Sequence, residues 1–120
     1  MNGLFCILGV VLVLGGLGHT AGVIHLYVTH GLPDPNRVML DIWIAEAQLL
    51  GGGLYLAAFR ARRAHTSWRA LGAFGALTII GYALPIVPVL FSRAPLAFRI
   101  PAPIYLLLSV LILVRSLKSE

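Results

Sequence analysis

Three histidines lie within twelve residues, at positions 19, 25 and 30 of the segment HTAGVIHLYVTH. Two carboxylates, Asp41 and Glu46, follow after a short turn and again stand among apolar residues. An imidazole changes its charge near neutral pH, and a nearby carboxylate can exchange a proton with it or hold it by a hydrogen bond. These side chains are therefore the candidates for proton-coupled chemistry or for a polar contact inside an apolar structure.

The depths of these side chains along two predicted helices pair them. At 1.5 Å per residue, His19 lies about 12 Å before the end of the first helix and Glu46 lies about 12 Å beyond the start of the second. His25 and Asp41 both lie close to that same end, so antiparallel neighbours would level His19 with Glu46 and His25 with Asp41. Because each residue turns the helix by about 100°, a pocket bounded by a third helix could hold all four, or only the deeper pair meets.

A paired imidazole and carboxylate inside a membrane have two interpretations. Ionisable side chains in a membrane span mark functional sites by default, because a charge there is costly. A polar bond between helices also locks them together in lipid. Both interpretations stay open for His19 and Glu46. His25 and Asp41 lie near the interface, where side chains in water or among headgroups are the favoured interpretation.

The same residues are also candidate metal ligands. Two histidines and two carboxylates are chemically adequate for zinc or iron, but their spacing matches no compact motif such as HExxH. Haem would need two imidazoles facing each other across the bundle, and the remaining histidine, His65, lies in a basic loop. Cys6 is the only cysteine, so a disulfide within the chain and a thiolate metal cage are excluded. We expect no metal and no cofactor, and the absence of a catalytic motif makes an enzyme the less favoured class.

Composition indicates a membrane as the setting. Of the 120 residues, 59% are hydrophobic and 11% are charged, which is far from the usual composition of soluble domains. The net charge of +5 does not indicate nucleic acid, because the basic residues stand in short segments between apolar runs. The lipid bilayer is thus the first predicted partner.

Four apolar runs predict the elements that position the polar residues. A bilayer core about 30 Å thick needs about 20 apolar residues in a helix. The runs cover residues 4–27, 38–59, 68–90 and, as the shortest, 97–114. Their apolar residues surround the helix without a polar face, as in helices that contact lipid. The predicted fold is all-α, a single domain of four transmembrane helices in an antiparallel bundle. The first run lacks a basic start and is too long for a signal-peptide core, so we expect it to stay in the mature chain.

Basic residues predict the orientation. Six lie at one end of the predicted bundle and three at the other: Arg60, Arg62, Arg63, Arg69, Arg115 and Lys118 against Arg37, Arg93 and Arg99. The positive-inside rule then places both termini in the cytoplasm. We expect a multi-pass protein of a bacterial inner membrane. The loop segment RARRAHTSWR is foremost a topology anchor, and it can also attract anionic headgroups.

Glycines give the first two helices smooth faces. The residues concerned are Gly15, Gly18, Gly22, Gly51, Gly52 and Gly53. Small residues let helix backbones approach closely, either within one bundle or between chains, and Gly18 and Gly22 form a GxxxG pair. Close packing against other membrane subunits or a second copy of the chain is therefore expected.

Two prolines interrupt the third predicted helix. Pro85 and Pro88 remove backbone hydrogen bonds and predict a kink. The kink is foremost structural, and as an alternative it opens a cavity. Tyr82 lies one turn before Pro85 and could assist a site there.

Two segments carry a family resemblance. LGGLGH in the first helix and IAEAQLLGGGLYLAAFRARR in the second resemble small bacterial four-helix membrane proteins of the DoxX-like type over about half the chain. The resemblance implies four spans, and for some members an association with terminal-oxidase or thiol-redox systems as small subunits. A lone Cys6 gives no support to thiol chemistry in this chain.

Two functions follow as hypotheses. The first is a small integral subunit or interaction protein that packs through its glycine-rich helix faces, with His19 and Glu46 locking the bundle. The alternative is binding or transport of a small apolar ligand, such as a quinone, a lipid or a proton-coupled solute, with His19 and Glu46 exchanging protons.

Overall fold

The computed structural model describes residues 1–93 and 100–118, with side chains described for 1–87 and 100–118. The described residues form four helices: α1 Asn2–His30, α2 Pro35–Arg63, α3 Arg69–Arg93 and α4 Pro101–Leu117. The all-helical prediction is confirmed. The first three helices cover their predicted spans apart from residue 68, and the predicted start of the fourth, residues 97–99, lies outside the described residues.

Three helices are long and apolar enough to cross a membrane, namely α1, α2 and residues Arg69–Val87 of α3. This supports a membrane location. Helix α4 is apolar but has only 17 residues, a little short of the number that spans a bilayer core.

A tight turn joins α1 to α2. Gly31 adopts φ 81°, a left-handed value that a glycine takes without steric cost. The Asp34 side chain caps α2 by accepting a hydrogen bond from the Arg37 amide at 3.2 Å, and Pro35 is the first helical residue, where a missing amide donor costs nothing. Local sequence therefore determines where α1 ends and where α2 begins.

Helices α1 and α2 pack with their backbones in contact. A Cβ atom at Gly52 would lie 2.9 Å from the carbonyl oxygen of Gly9 and 2.9 Å from the amide nitrogen of Val13. At the next level, a Cβ atom at Gly16 would meet Leu49 at 2.8 Å. Small residues on both helices permit this approach, so the predicted glycine packing is present inside the chain.

The other extensive contacts join α2 to α3 and α3 to α4. The largest fully buried side chains include Phe5, Leu12, Tyr55, Ile79 and Ile112, which come from all four helices. The Phe5 ring lies 5.9 Å from that of Tyr55 between centroids. The core therefore lies between the helices, while much of each helix surface stays apolar and exposed.

Helix α3 continues through both prolines to Arg93. Pro85 is exposed, and the side chain of Pro88 lies outside the described ones. The kink there stays a prediction.

Candidate functional site

A polar cluster joins α1 to α2 around the carboxylate of Asp41. The Tyr27 hydroxyl donates a hydrogen bond of 2.6 Å to Asp41 Oδ2, and Arg37 Nε lies 3.4 Å from both carboxylate oxygens. His19 Nε2 lies 3.7 Å from Asp41 Oδ1. Two residues of α1 and one of α2 thus meet at the carboxylate of Asp41, a residue that is only 5% exposed.

The Nε2 atom of His19 is buried but has no hydrogen-bond partner among the described residues. Its distance of 3.7 Å to Asp41 is within the range of an ion pair but longer than a hydrogen bond. A small shift of the ring would complete a bond to Asp41. The pair could therefore share a proton, or lock α1 against α2 by a polar bond.

The predicted pairs are rearranged. The structure brings His19 to Asp41, and Glu46 lies elsewhere on α2. Glu46 is turned by about 140° from Asp41 around the helix axis, so it leaves the face that contacts α1. His25 is exposed, and its imidazole has no hydrogen bond among the described residues. Its backbone carbonyl accepts a hydrogen bond of 2.8 Å from the Thr29 hydroxyl. His30 contacts the same Thr29 hydroxyl through Nδ1 at 2.8 Å and is also exposed.

Glu46 lines a groove between α2 and α3 with a volume of about 640 Å³. The other lining residues are Trp43, Ala47, Leu49, Leu50, Leu77, Thr78 and Gly81. The Thr78 hydroxyl donates to the Phe74 carbonyl at 2.8 Å. Glu46 itself is exposed, and among the described residues it has neither a hydrogen bond nor an ion pair. The groove thus offers one uncommitted carboxyl group among mostly apolar walls.

Two further polar contacts lie deeper between the helices. Gln48 Nε2 donates to the Tyr82 hydroxyl at 3.1 Å, which ties α2 to α3. The Tyr55 hydroxyl donates to Ser109 Oγ at 2.6 Å, which ties α2 to α4. With the bond from Tyr27 to Asp41, α2 thus makes a side-chain hydrogen bond to each of the other three helices.

The glycines divide into two groups. A Cβ atom at Gly51 would overlap Ile79, and one at Gly52 would overlap α1. A Cβ atom at Gly15 would lie 3.5 Å from Oε1 of Gln48, an ordinary van der Waals contact. A Cβ atom at Gly53, the last residue of the GGG segment, would meet nothing within 4 Å, and the same holds for Gly18 and Gly22. One group packs the chain internally, and the other faces outward.

Sequence reasoning missed two members of the Asp41 cluster. Tyr27 is not among the predicted site residues, and Arg37 is predicted only as an orientation signal. Arg37 stands four residues before Asp41, the spacing at which side chains of one helix pair. The sequence alone could therefore have predicted this contact. The bond from Tyr27 to Asp41 depends on how α1 is rotated against α2, and no local sequence pattern predicts that rotation.

Within residues 1–93 and 100–118, no three histidine, cysteine, aspartate or glutamate side chains come together as metal ligands would. Comparison of the chain with protein-family models, with curated proteins and with solved structures finds no match.

Proposed function

We propose that this chain is a small multi-pass subunit of a larger or homo-oligomeric assembly in a bacterial inner membrane. The observation that carries the proposal is the open face of α1 around Gly18 and Gly22. Nothing lies within 4 Å of a Cβ atom built at either glycine. Only 28% of the most apolar stretch of α1 is buried inside the chain, so a long helix surface is free for a neighbour.

The composition of this face supports helix docking. At about 100° per residue, Leu14, Gly22 and His25 all lie within about 40° of Gly18 around the helix axis. Leu14 is 63% exposed. A GxxxG pair lets a second helix approach closely, and a neighbouring helix could bond the imidazole of His25 at the end of the stripe. This gives His25 a role that its position away from Asp41 leaves open.

The proposal includes an antiparallel bundle with cytoplasmic termini. Gly9 lies against Leu56 and Gly16 against Leu49, so positions later in α1 meet positions earlier in α2, as antiparallel neighbours require. The basic residues favour the cytoplasm for the end at which α1 begins and α2 ends. In this arrangement the Asp41 cluster locks α1 to α2, which replaces the lock expected between His19 and Glu46.

A kinship with DoxX-like proteins is part of the proposal. It rests on the two resembling segments, and the same kind of role, a small subunit beside a larger membrane complex, follows from it. The partner on the open face of α1 would then be a helix of that complex or of a second copy.

The test is assembly in mild detergent or in nanodiscs, read as native mass. We expect the wild-type chain to run in a complex larger than the 12.9 kDa protomer, and Gly18→Leu or Gly22→Leu to release the protomer. Gly53→Leu is the matched control, because it also adds a side chain into open space but on α2. A monomeric wild-type chain, or equal behaviour of the α1 variants and the control, would contradict the proposal.

A second candidate is the binding of a small apolar ligand in the groove beside Glu46. The specific observation is a carboxyl group without a protein partner among the described residues, in a groove of about 640 Å³. An ionisable group in a membrane span is energetically costly, and its presence there therefore indicates a candidate functional site. A quinone, a lipid or a proton-coupled solute could bond it. His19 lies on the face of α1 that meets Asp41, so the carboxyl of Glu46 would act without it.

The ligand hypothesis has its own test. Lipids and quinones that copurify with the chain would be identified by mass spectrometry. We expect Glu46→Gln to lose a copurifying species by removing the acid, and Gly81→Leu to lose it by filling the groove. Gly53→Leu, outside the groove, should retain it. Copurification unchanged in both groove variants would refute this candidate.

A further inference from the structure

A second cleft, unrelated to the Asp41 cluster, lies at the end of the molecule where α2 ends and α3 begins. Its volume is about 390 Å³. It is lined by the first residue of α1 and by four residues around the connection from α2 to α3: Asn2, Arg62, His65, Thr66 and Trp68. All of these carry a polar or cationic group, in contrast to the apolar groove beside Glu46.

The cationic group of this cleft is held in a fixed position. The Arg62 guanidinium lies over the Trp68 ring, with Cζ 4.9 Å from the ring centroid. Trp68 in turn packs edge-on against the buried Phe5, at 5.6 Å between centroids. Because Arg62 takes no hydrogen-bond acceptor among the described residues, its planar N–H donors stay available. A stacked guanidinium with free donors suits the bidentate recognition of a phosphate.

Among the described residues, no acidic side chain lies at the cleft. The sequence has no aspartate or glutamate between Glu46 and Glu120, and the first turns of α1 and α3 contain no acidic residue. Arg60 and Arg63 stand close to the cleft in the sequence. An anion that enters the cleft therefore meets only cationic and neutral side chains among the residues that the structure describes.

Three of the last four carbonyl groups of α2 already accept hydrogen bonds. The Ala64 amide bonds the Arg60 carbonyl at 3.0 Å, and the His65 amide bonds that of Arg62 at 3.2 Å. The Ala61 carbonyl accepts from both the amide and the hydroxyl of Thr66, at 2.9 and 3.0 Å. His65 takes φ 55° within this turn. Because these acceptors are occupied, the negative end of the α2 dipole is less exposed to an anion in the cleft.

We infer that this cleft binds a phosphate group, with Arg62 as its principal donor and His65, Thr66 and Asn2 as its polar surroundings. The cleft stands at the ends of candidate membrane spans, where a lipid headgroup would present a phosphodiester. A soluble phosphate compound would present the same oxygens. The shared chemistry is the phosphate, and the experiment separates its two sources.

The test compares two neighbouring arginines. Arg62→Gln removes the stacked guanidinium, whereas Arg63→Gln removes the same charge from an arginine that lies over Phe59 at 5.7 Å. The whole chain in nanodiscs of phosphatidylcholine, with and without phosphatidylglycerol, would be assayed for thermal stabilisation and for lipids bound in native mass spectra. Inorganic phosphate added to the chain in neutral nanodiscs is the second probe.

We expect Arg62→Gln to weaken binding of the anionic lipid by about tenfold or more, as for a charge-assisted hydrogen-bonded pair. Arg63→Gln should weaken it by no more than about fivefold, the effect of one basic residue near an anionic surface. Arg62→Lys, which keeps the charge without the planar donors, should fall between these two and covers the case in which Arg62→Gln fails to fold. Binding of the lipid alone assigns the headgroup, and binding of inorganic phosphate as well assigns any phosphate. Equal weakening by both glutamine variants, or no binding of either probe, would overturn the inference.

Discussion

The GGG segment of α2 provides a sharp test of the packing, because its three glycines have different surroundings. A Cβ atom at Gly53 meets nothing within 4 Å, and one at Gly51 meets the side chain of Ile79. At Gly52 the nearest atoms include the carbonyl oxygen of Gly9 and the amide nitrogen of Val13, both at 2.9 Å. Alanine at these adjacent positions is therefore expected to have three different effects.

The magnitudes follow from two opposing effects. Replacing glycine by alanine in a helix stabilises it by roughly 0.5–1 kcal/mol, since alanine loses less backbone entropy on folding. Extra volume in a tightly packed site costs about 1–3 kcal/mol. Gly53→Ala should therefore stabilise the chain by about 0.5–1 kcal/mol.

Gly51→Ala requires the buried Ile79 side chain to turn, which costs about 0.5–1.5 kcal/mol and leaves a net effect near zero. Gly52→Ala must displace the backbone of α1, which cannot rotate away as a side chain does. We expect a net destabilisation of about 1–2 kcal/mol for this variant, from the upper part of the range for overpacked sites less the gain in helix propensity.

The assay is the free energy of unfolding of the three single variants in one lipid or bicelle composition, for example by steric trapping. The expected order of stability is Gly53→Ala, then Gly51→Ala, then Gly52→Ala. Equal stability of Gly52→Ala and Gly53→Ala would show that α1 and α2 do not touch at this level. It would refute the backbone contact on which the whole pairing of the two helices depends.

Two double-mutant cycles test the polar contacts between helices. Interhelical hydrogen bonds in lipid couple by about 0.6 kcal/mol on average and up to about 1.7 kcal/mol. His19→Gln with Asp41→Asn should couple near the lower of these values in unfolding free energy, because His19 Nε2 lies 3.7 Å from Asp41 Oδ1, beyond the length of a formed hydrogen bond. The same His19 variant combined with Glu46→Gln should be additive, and coupling there would restore the pair that depth alone predicts. Tyr55→Phe with Ser109→Ala should also couple by about 0.6–1.7 kcal/mol, because the 2.6 Å bond between them is fully buried; an additive result would mean that α2 and α4 are not joined at that point.

The sequence by itself determined the helices and the approximate positions of their ends. The apolar runs predicted α1, α2 and α3 to within four residues at each end. In the turn GLPDPN, Asp34 and Asn36 are both residue types that cap a helix, and the structure has Asp34 as the cap of α2. These features depend on local hydrophobicity and backbone geometry, which need no knowledge of neighbouring elements. The glycines of α2 likewise predicted a close helix contact, although they did not predict which helix would make it.

Only the tertiary structure decided which side chains meet. The helical period states the angle between Asp41 and Glu46 on α2, but it does not state how α2 is rotated against α1 or α3. Packing of Gly52 on Gly9 sets that rotation, and it turns Asp41 toward His19 and Glu46 toward the groove with α3. The same rotation buries Gly52 and leaves Gly53 in open space, although the two residues are identical and adjacent. Depth along a membrane helix is a property of the sequence, whereas facing is a property of the packed bundle.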